Sequence, residues 1–463
     1  MLNYIWLGLI LISVVVGGIR DLMPEVTSAA FDSARMAVMD LALPLVGIMA
    51  LWLGMMRLAE KSGFIVILAR ALRPIMRFLF PDVPSNHPAM GGMIMNISAN
   101  MLGLGNAATP FGLKAMKDLE TLSPNPGVAT NAMCTFLVIN TSSVTLISSS
   151  AVGLMAAGGA ERPTAFIGTA LIATFCSTAA GLIAVKFLEK LPAYRMPTPV
   201  LQPATIAAKT GKSSFATESD FDESDEDDST NTEEPDEQLK PISLWGKIAI
   251  GLFLAFFVYL FAAQLFPDLN FFERTEHGGT AQASGFFIRV IDAVGILAIP
   301  FIISFFALFA ALRGIRIYEE FVVGAKEGFE IAIRIIPYLV AILVAIGMFR
   351  AADGLDLLAS ILGPILSFLH FPVELLPLSL MRPLSGSGSF ALLGDLIATY
   401  GPDSFLARAG ATISGSTETT FYVLAVYFGS VGIRRTRHAL PAGLFADAVG
   451  IIAAVTVATI VFG

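Results

Sequence analysis

The chain has 463 residues, 55% of them hydrophobic and only 14% charged. Soluble proteins carry roughly 25% charged residues, so this composition excludes a soluble globular fold. The net charge of -8 is local: residues 218–237 hold twelve acids and no Lys or Arg, leaving 25 acids against 29 bases elsewhere.

Apolar runs near the ~20 residues that cross a bilayer recur along the chain. They predict spanning helices at Tyr4–Ile19, Ala37–Met56, Ala132–Met155, Thr164–Phe187, Leu244–Leu265, Ile288–Ala311, Ile331–Phe349, Ala411–Phe428 and Ala442–Phe462. No small-residue cleavage site with a basic flank follows the first, so it is read as a helix and not a secretory signal. The segment from Arg57 to Phe80 carries Arg57, Lys61, Arg70, Arg73 and Arg77, as expected of an amphipathic helix on the membrane surface. Cys134 and Cys176 sit in apolar helices as small packing residues. The acidic stretch is too polar to bury a core and reads as a disordered linker. The expected organisation is a first membrane half at 1–195, a linker at 196–243 and a second membrane half at 244–463.

The two halves repeat one pattern. Gly54-Met55-Met56-Arg57 recurs as Gly347-Met348-Phe349-Arg350, and Arg73-Pro74-Ile75-Met76-Arg77-Phe78 is echoed by Gly363-Pro364-Ile365-Leu366-Ser367-Phe368. A Gly/Ser/Asn-rich segment, a polar-centred helix and a last apolar helix follow in each. Aligning Val152-Gly153 with Val431-Gly432 sets Asn140 opposite Thr419.

Positive charge marks the cytoplasmic side of a membrane protein. Lys186, Lys190 and Arg195 before the linker, Lys240 and Lys247 after it, and the run Arg434-Arg435-Thr436-Arg437 all call for the cytoplasm. The counterparts of the last run and of the first amphipathic segment are poor in Lys and Arg, so equivalent positions face opposite sides. The expected fold is therefore an all-α polytopic membrane protein with two inverted repeats, each holding an interfacial amphipathic helix and a re-entrant or broken helix. A bacterial inner-membrane location is expected, with the N-terminus and linker cytoplasmic and the C-terminus outside. The hairpin of Leu244–Leu265 and Ile288–Ala311 would reset the chain before the second copy.

Broken helices are tolerated at membrane depth only where protein or a cavity surrounds them. The first such segment runs from Pro88 through Asn96, Asn100, Gly103 and Asn106 to Pro110, and the second is Arg382-Pro383-Leu384-Ser385-Gly386-Ser387-Gly388-Ser389. Their helix N-termini would offer N–H groups and partial positive charge to an anionic group. Asn140, Thr141, Thr417 and Thr419 add polar atoms in the helices that follow. Glu418 stands apart, because an ionisable group within a spanning helix is costly and by default functional. Its bland reading is a structural salt bridge to Arg382, and Asp395 and Asp447 are further carboxylates of the same type.

Asn86-His87-Pro88-Ala89-Met90-Gly91-Gly92, with Asn96 and Asn100, resembles the spore maturation protein A family. The run beginning Arg382-Pro383-Leu384-Ser385-Gly386, Tyr400-Gly401-Pro402-Asp403-Ser404-Phe405 and Gly415-Ser416-Thr417-Glu418-Thr419-Thr420-Phe421-Tyr422 resembles the spore maturation protein B family. The resemblance covers nearly all the chain except the linker and implies a fusion of two nucleoside recognition, or gate, domains. These are similar to parts of concentrative nucleoside transporters and of ferrous iron transport protein B. One departure is that no aromatic-plus-amide cluster suited to a nucleobase is evident.

The scattered histidines lack metal-ligand spacing, and no nucleotide loop or nucleophile elbow occurs, so neither an enzyme nor a resident cofactor or metal is expected. The expected partners are the lipid bilayer and a small polar solute, with no nucleic acid; homo-oligomerisation is left open. The expectation is a secondary transporter working by alternating access. Its site would comprise Asn96, Asn100, Asn106, Asn140, Thr141, Ser385, Ser387, Ser389, Thr417, Glu418 and Thr419. Glu418 would hold a proton, a sodium ion or a substrate ammonium. The solute would be a nucleoside or an amino acid, for which the spore-cortex association of the resembled families suggests peptidoglycan-derived D-alanine. The alternative is a non-transporting scaffold for cell-envelope or spore maturation.

Overall fold

The computed structural model describes residues 2–196, 240–266, 286–354 and 371–463, apart from 104, 143, 144 and 147, together with 356, 357 and 360. Residues 197–239 of the acidic linker, the loop around His277 and most of the second amphipathic segment lie outside the described residues. Among the described residues there are helices and no strand.

The first half begins with α1 (Leu2–Ile19) and α2 (Met23–Met36). A π-helical turn at Ala37–Ala42 joins α2 to α3 (Leu43–Lys61) without a break. Pro44 cannot donate to the residue four before it, and the turn widens there. The expectation of a span at Ala37–Met56 is thus too short: one rod runs from Met23 to Lys61, 39 residues. Residues 23–36 contain Glu25, Asp32 and Arg35, which broke the apolar pattern, yet their Val26 and Ser33 are buried. At about 1.5 Å per residue the rod approaches 60 Å, about twice the bilayer core, so it must project beyond or lie along the membrane surface.

Next come α4 (Phe64–Leu79), α5 (Pro88–Met101), α6 (Gly105–Glu120), α7 (Asn131–Ser142), α8 (Ser149–Ala157) and α9 (Ile167–Leu188). The second half has α10 (Leu244–Leu265), α11 (Phe286–Leu312), α12 (Ile317–Ala351), α13 (Leu376–Met381), α14 (Gly386–Tyr400), α15 (Phe405–Ser416), α16 (Thr420–Ser430) and α17 (Ala439–Phe462). Among the described residues, five helical stretches are long and apolar enough to cross a membrane, which makes this a multi-pass membrane protein. α4 buries Ile65, Ala69 and Met76 and exposes Arg70, Arg73 and Arg77, the two-faced pattern expected of it.

The repeats are inverted. Helices α9 and α17 close the two repeats and run antiparallel: Gly450 backs onto Ser177, and Gly181, one turn further along α9, backs onto Ala446, one turn earlier on α17. The long rods oppose each other likewise, with Gly54 against Phe321 and Gly328 against Met49 and Ala50. Gly347, the repeat partner of Gly54, meets Ser33 at the far end of the same contact. Packing is reciprocal at the centre of the two repeats. α7 meets α17 as α15 meets α9, and α6 meets α16 as α14 meets α8. A two-fold relation between the halves produces this exchange of partners.

Three expectations need correction. Ala132–Met155 and Ala411–Phe428 are not continuous spans: the first breaks between Ser142 and Ser149, the second at Thr417–Thr419. Matching the helix ends at these breaks then sets Asn140 opposite Ser414, and Thr419 falls in the break itself. Finally, α11 does not merely complete a resetting hairpin. It packs on α3 as α1 packs on α12, which makes it the counterpart of α1 and leaves α10 as the added crossing that inverts the second copy.

Candidate functional site

Each repeat brings a hairpin tip against a helix break. In the first, His87 caps α5 by accepting from the Ala89 N–H at 3.3 Å, Pro88 starts the helix, and the tip turns at Gly103 with φ +76°. Leu146, within the first break, donates its N–H to the Met101 carbonyl at the tip, 2.9 Å. In the second, the tip between α13 and α14 is Arg382–Ser385, and Phe421 just past the break donates to the Pro383 carbonyl, 3.0 Å. The breaks also touch each other: the Glu418 N–H donates to the Thr141 carbonyl, 2.8 Å.

At the second break the backbone is extended at Thr417 (φ -142°, ψ 167°) and at Thr419 (φ -83°, ψ 93°). The Thr417 carbonyl therefore leaves the helical ladder, and in a membrane it must find another donor. Arg382 supplies one: its guanidinium, 2% exposed, donates to that carbonyl and to Ser389 Oγ at 3.3 Å. It also lies 3.6 Å from the Glu418 carboxylate, whose side chain is 48% exposed. Ser385 caps α14 by accepting from the Gly388 N–H at 3.0 Å and lies 3.4 Å from Ser387 Oγ. A Cβ at Gly386 would sit 3.1 Å from Thr419 Oγ1, so the second tip and second break are in contact. Ser385, Ser387, Ser389, Thr417, Glu418 and Thr419 thus form one constellation, with a fixed cation, a reachable anion and the start of α14.

The first repeat holds an amide cluster. The Asn100 amide donates to Asn140 Oδ1 at 2.9 Å, and the Asn140 amide donates to the Phe136 carbonyl at 2.9 Å. The Asn96 amide donates to the Ala108 carbonyl at 2.8 Å and to the Tyr427 hydroxyl at 3.0 Å. Tyr427 in turn donates to Asn140 Oδ1 at 3.4 Å and stacks on Phe136, with ring centroids 5.9 Å apart. Gly112 on α6 makes room for it, since a Cβ there would lie 2.4 Å from the phenol. Asn96 is fully buried, whereas Asn100 is partly open. Thr141 Oγ1 donates to the Val138 carbonyl at 3.1 Å. Asn106 lies in the first turn of α6, and its side chain is outside the described residues.

Two expected participants stand elsewhere or deeper. Asp395 pairs with Arg350, joining α14 to α12 away from the breaks. Asp447 on α17 is buried and accepts from Thr420 Oγ1 at 2.6 Å. Tyr427 was not anticipated: its local sequence is an apolar helix, and its amide partners on α5 and α7 are hundreds of residues away. Its only sequence signal is that it follows Thr420 by seven residues, two helical turns along the same face. A large cavity of about 520 Å³ lies between α11 and the first tip, walled by Phe301, Phe305, Met101, Leu146 and other apolar side chains. It faces none of the polar constellation.

Inverted repeats, each closing a hairpin tip on a broken helix, define a polytopic membrane protein of gate architecture. The chain belongs to the nucleoside recognition (Gate) family, whose model matches residues 42–189 and 332–434, more than half its length. It is 46% identical to spore maturation protein B of Bacillus subtilis (strain 168) over 176 residues, 38% of this chain and 99% of that protein. It is 39% identical to spore maturation protein A of the same organism over 183 residues, 40% of this chain and 93% of that protein. Each covers a different half, as expected of a fusion. No solved structure matches the chain.

Proposed function

We propose that the protein is a secondary transporter of a small zwitterionic solute, such as an amino acid, working by alternating access of its inverted repeats. The observation that carries this is the Arg382–Glu418 pair at the second helix break. A half-exposed carboxylate 3.6 Å from a buried guanidinium gives an ammonium group and a carboxylate separate places to bind. The ammonium would take Glu418. The carboxylate would take the Ser385–Ser387 start of α14, where helix N–H groups carry partial positive charge. Inverted repeats supply the two states, because each half can adopt the conformation of the other around a shared site. Peptidoglycan-derived D-alanine is a concrete member of this solute class, and the bacterial inner membrane is the proposed location.

A nucleoside is the second reading, favoured by the Asn96–Asn140–Tyr427 cluster stacked on Phe136. Asn100, Asn140 and Tyr427 already bond to one another, so a base would have to displace those internal hydrogen bonds, while Asn96 Oδ1 is buried without a partner. The deciding experiment is thermal unfolding of the purified protein with D- and L-amino acids and with nucleosides, each with and without sodium. Stabilisation by zwitterions supports the first reading and stabilisation by nucleosides the second. No response to any solute would favour a non-transporting scaffold for envelope maturation.

A further inference from the structure

Asp447 is the carboxylate that the solute reading leaves unused. It lies within the apolar span Ala439–Phe462 and is 1% exposed. Thr420 satisfies one of its oxygens, while Oδ1 has no hydrogen-bond partner. Small residues press this face of α17 onto the breaks: Gly443 against Thr141 and Thr420, Gly450 against Thr417 and Ser177. Thr417 Oγ1, also 1% exposed, has no partner either. The helices packed on α17 are α7, α9, α15 and α16. The charged residues they carry are Lys186 in the last turn of α9 and Arg408 in the first turn of α15. Arg382 and Glu418 lie at the break that Thr417 and Thr420 flank.

Among the described residues the Arg382 guanidinium pairs with Glu418, which is half-exposed, and makes no ion pair with Asp447. Asp447 has a single hydroxyl donor and an unmatched oxygen in the membrane interior, where an uncompensated charge is expensive. Placing a proton on Oδ1 removes that charge and leaves one cation facing one anion. We propose that Asp447 is a proton-binding site of the gate, neutral in this conformation and exchanging with solution through the α15–α16 break. When the break opens, the Asp447 O–H bond is lost to water and the carboxylate forms; when it closes, the proton returns. If the transport reading holds, this proton is the coupling ion, and Glu418 is left free for the solute.

The protonation state is testable without knowing the solute. The full chain in lipid nanodiscs would be titrated in choline chloride and followed by infrared difference spectroscopy. The expected result is a protonated-carboxyl C=O band that persists above the ordinary carboxyl range and shifts on transfer to D2O. It should be lost in Asp447→Asn and kept in Glu418→Gln. Thr420→Val keeps Asp447 but removes its donor, so it should move the band even if Asp447→Asn fails to fold. An absent band, a band unchanged in Asp447→Asn, or one unmoved in Thr420→Val overturns the proposal. Loss of the band when sodium replaces choline at fixed pH also overturns it and makes the site a cation site. Proteoliposome uptake of D-alanine is measured in parallel: no uptake with the band present refutes the transport of that solute and leaves the proton site standing.

Discussion

Glu418→Gln and Arg382→Gln remove the two ends of one ion pair, and the structure predicts very different outcomes. At 3.6 Å two unit charges attract by about 5 kcal/mol at an effective dielectric near 20, but by only about 1 kcal/mol in water. Nearly half of the Glu418 side chain faces outward, so the lower figure governs, and such pairs contribute about 0–1 kcal/mol. Glu418→Gln leaves Arg382 its bonds to the Thr417 carbonyl and Ser389, so melting should barely change. Solute-dependent stabilisation and uptake should collapse. Arg382→Gln instead strands the buried Thr417 carbonyl at the break, a loss of roughly 1–3 kcal/mol. The assays are thermal unfolding of both variants, with and without solute, and uptake in proteoliposomes. Equal melting losses in the two variants, or Glu418→Gln with normal uptake, would refute the division between a fixed structural cation and a working anion.

Topology follows from which loops meet. Arg434 donates to the Gly127 carbonyl and Arg437 to the Tyr194 carbonyl, while Glu161 meets Asp403 at the other end of α9. Cysteines at Asp225 and Arg435 should react with an impermeant reagent from the cytoplasm, and those at His277 and Glu161 from outside; labelling of positions 161 and 435 from one side would defeat the inverted arrangement. Deleting residues 218–237 should leave assembly and uptake intact, because an acidic spacer has no core to contribute; loss of membrane assembly would show that the segment makes specific contacts. Burial, then Arg437 and Lys186, push the His438 imidazole down to about 4 from its ordinary 6.5. The unfolded chain takes up that proton first, so stability is intact above pH 6.5 and falls toward pH 4, by up to about 3 kcal/mol. His438→Gln should flatten that fall, and a melting profile identical to that of the parent protein would contradict the assignment.

The inverted arrangement was legible because charge bias is written residue by residue: Arg70, Arg73 and Arg77 have no basic counterparts in the second copy. The hairpins were legible because Pro88, Gly103 and the Ser385–Ser389 run interrupt otherwise apolar helices. The breaks at Ser142–Ser149 and Thr417–Thr419 were not, since Ser and Thr can remain in a membrane helix by bonding to their own preceding carbonyls, as Thr141 and Ser416 do here. What opens the second break is Arg382, which arrives from another hairpin and captures the Thr417 carbonyl. No local pattern records that contact. The same reasoning explains Tyr427 and Asp447, each an isolated polar residue in an apolar helix whose partner lies in another element. Sequence marked the carboxylates as costly; only the fold separates their roles. Asp395 is matched to Arg350, Glu418 is paired with Arg382 and half-exposed, and Asp447 keeps an unmatched oxygen. A costly group without a partner must either change protonation state or acquire one, and that makes the gate's charge balance conditional on whether its breaks are open or closed.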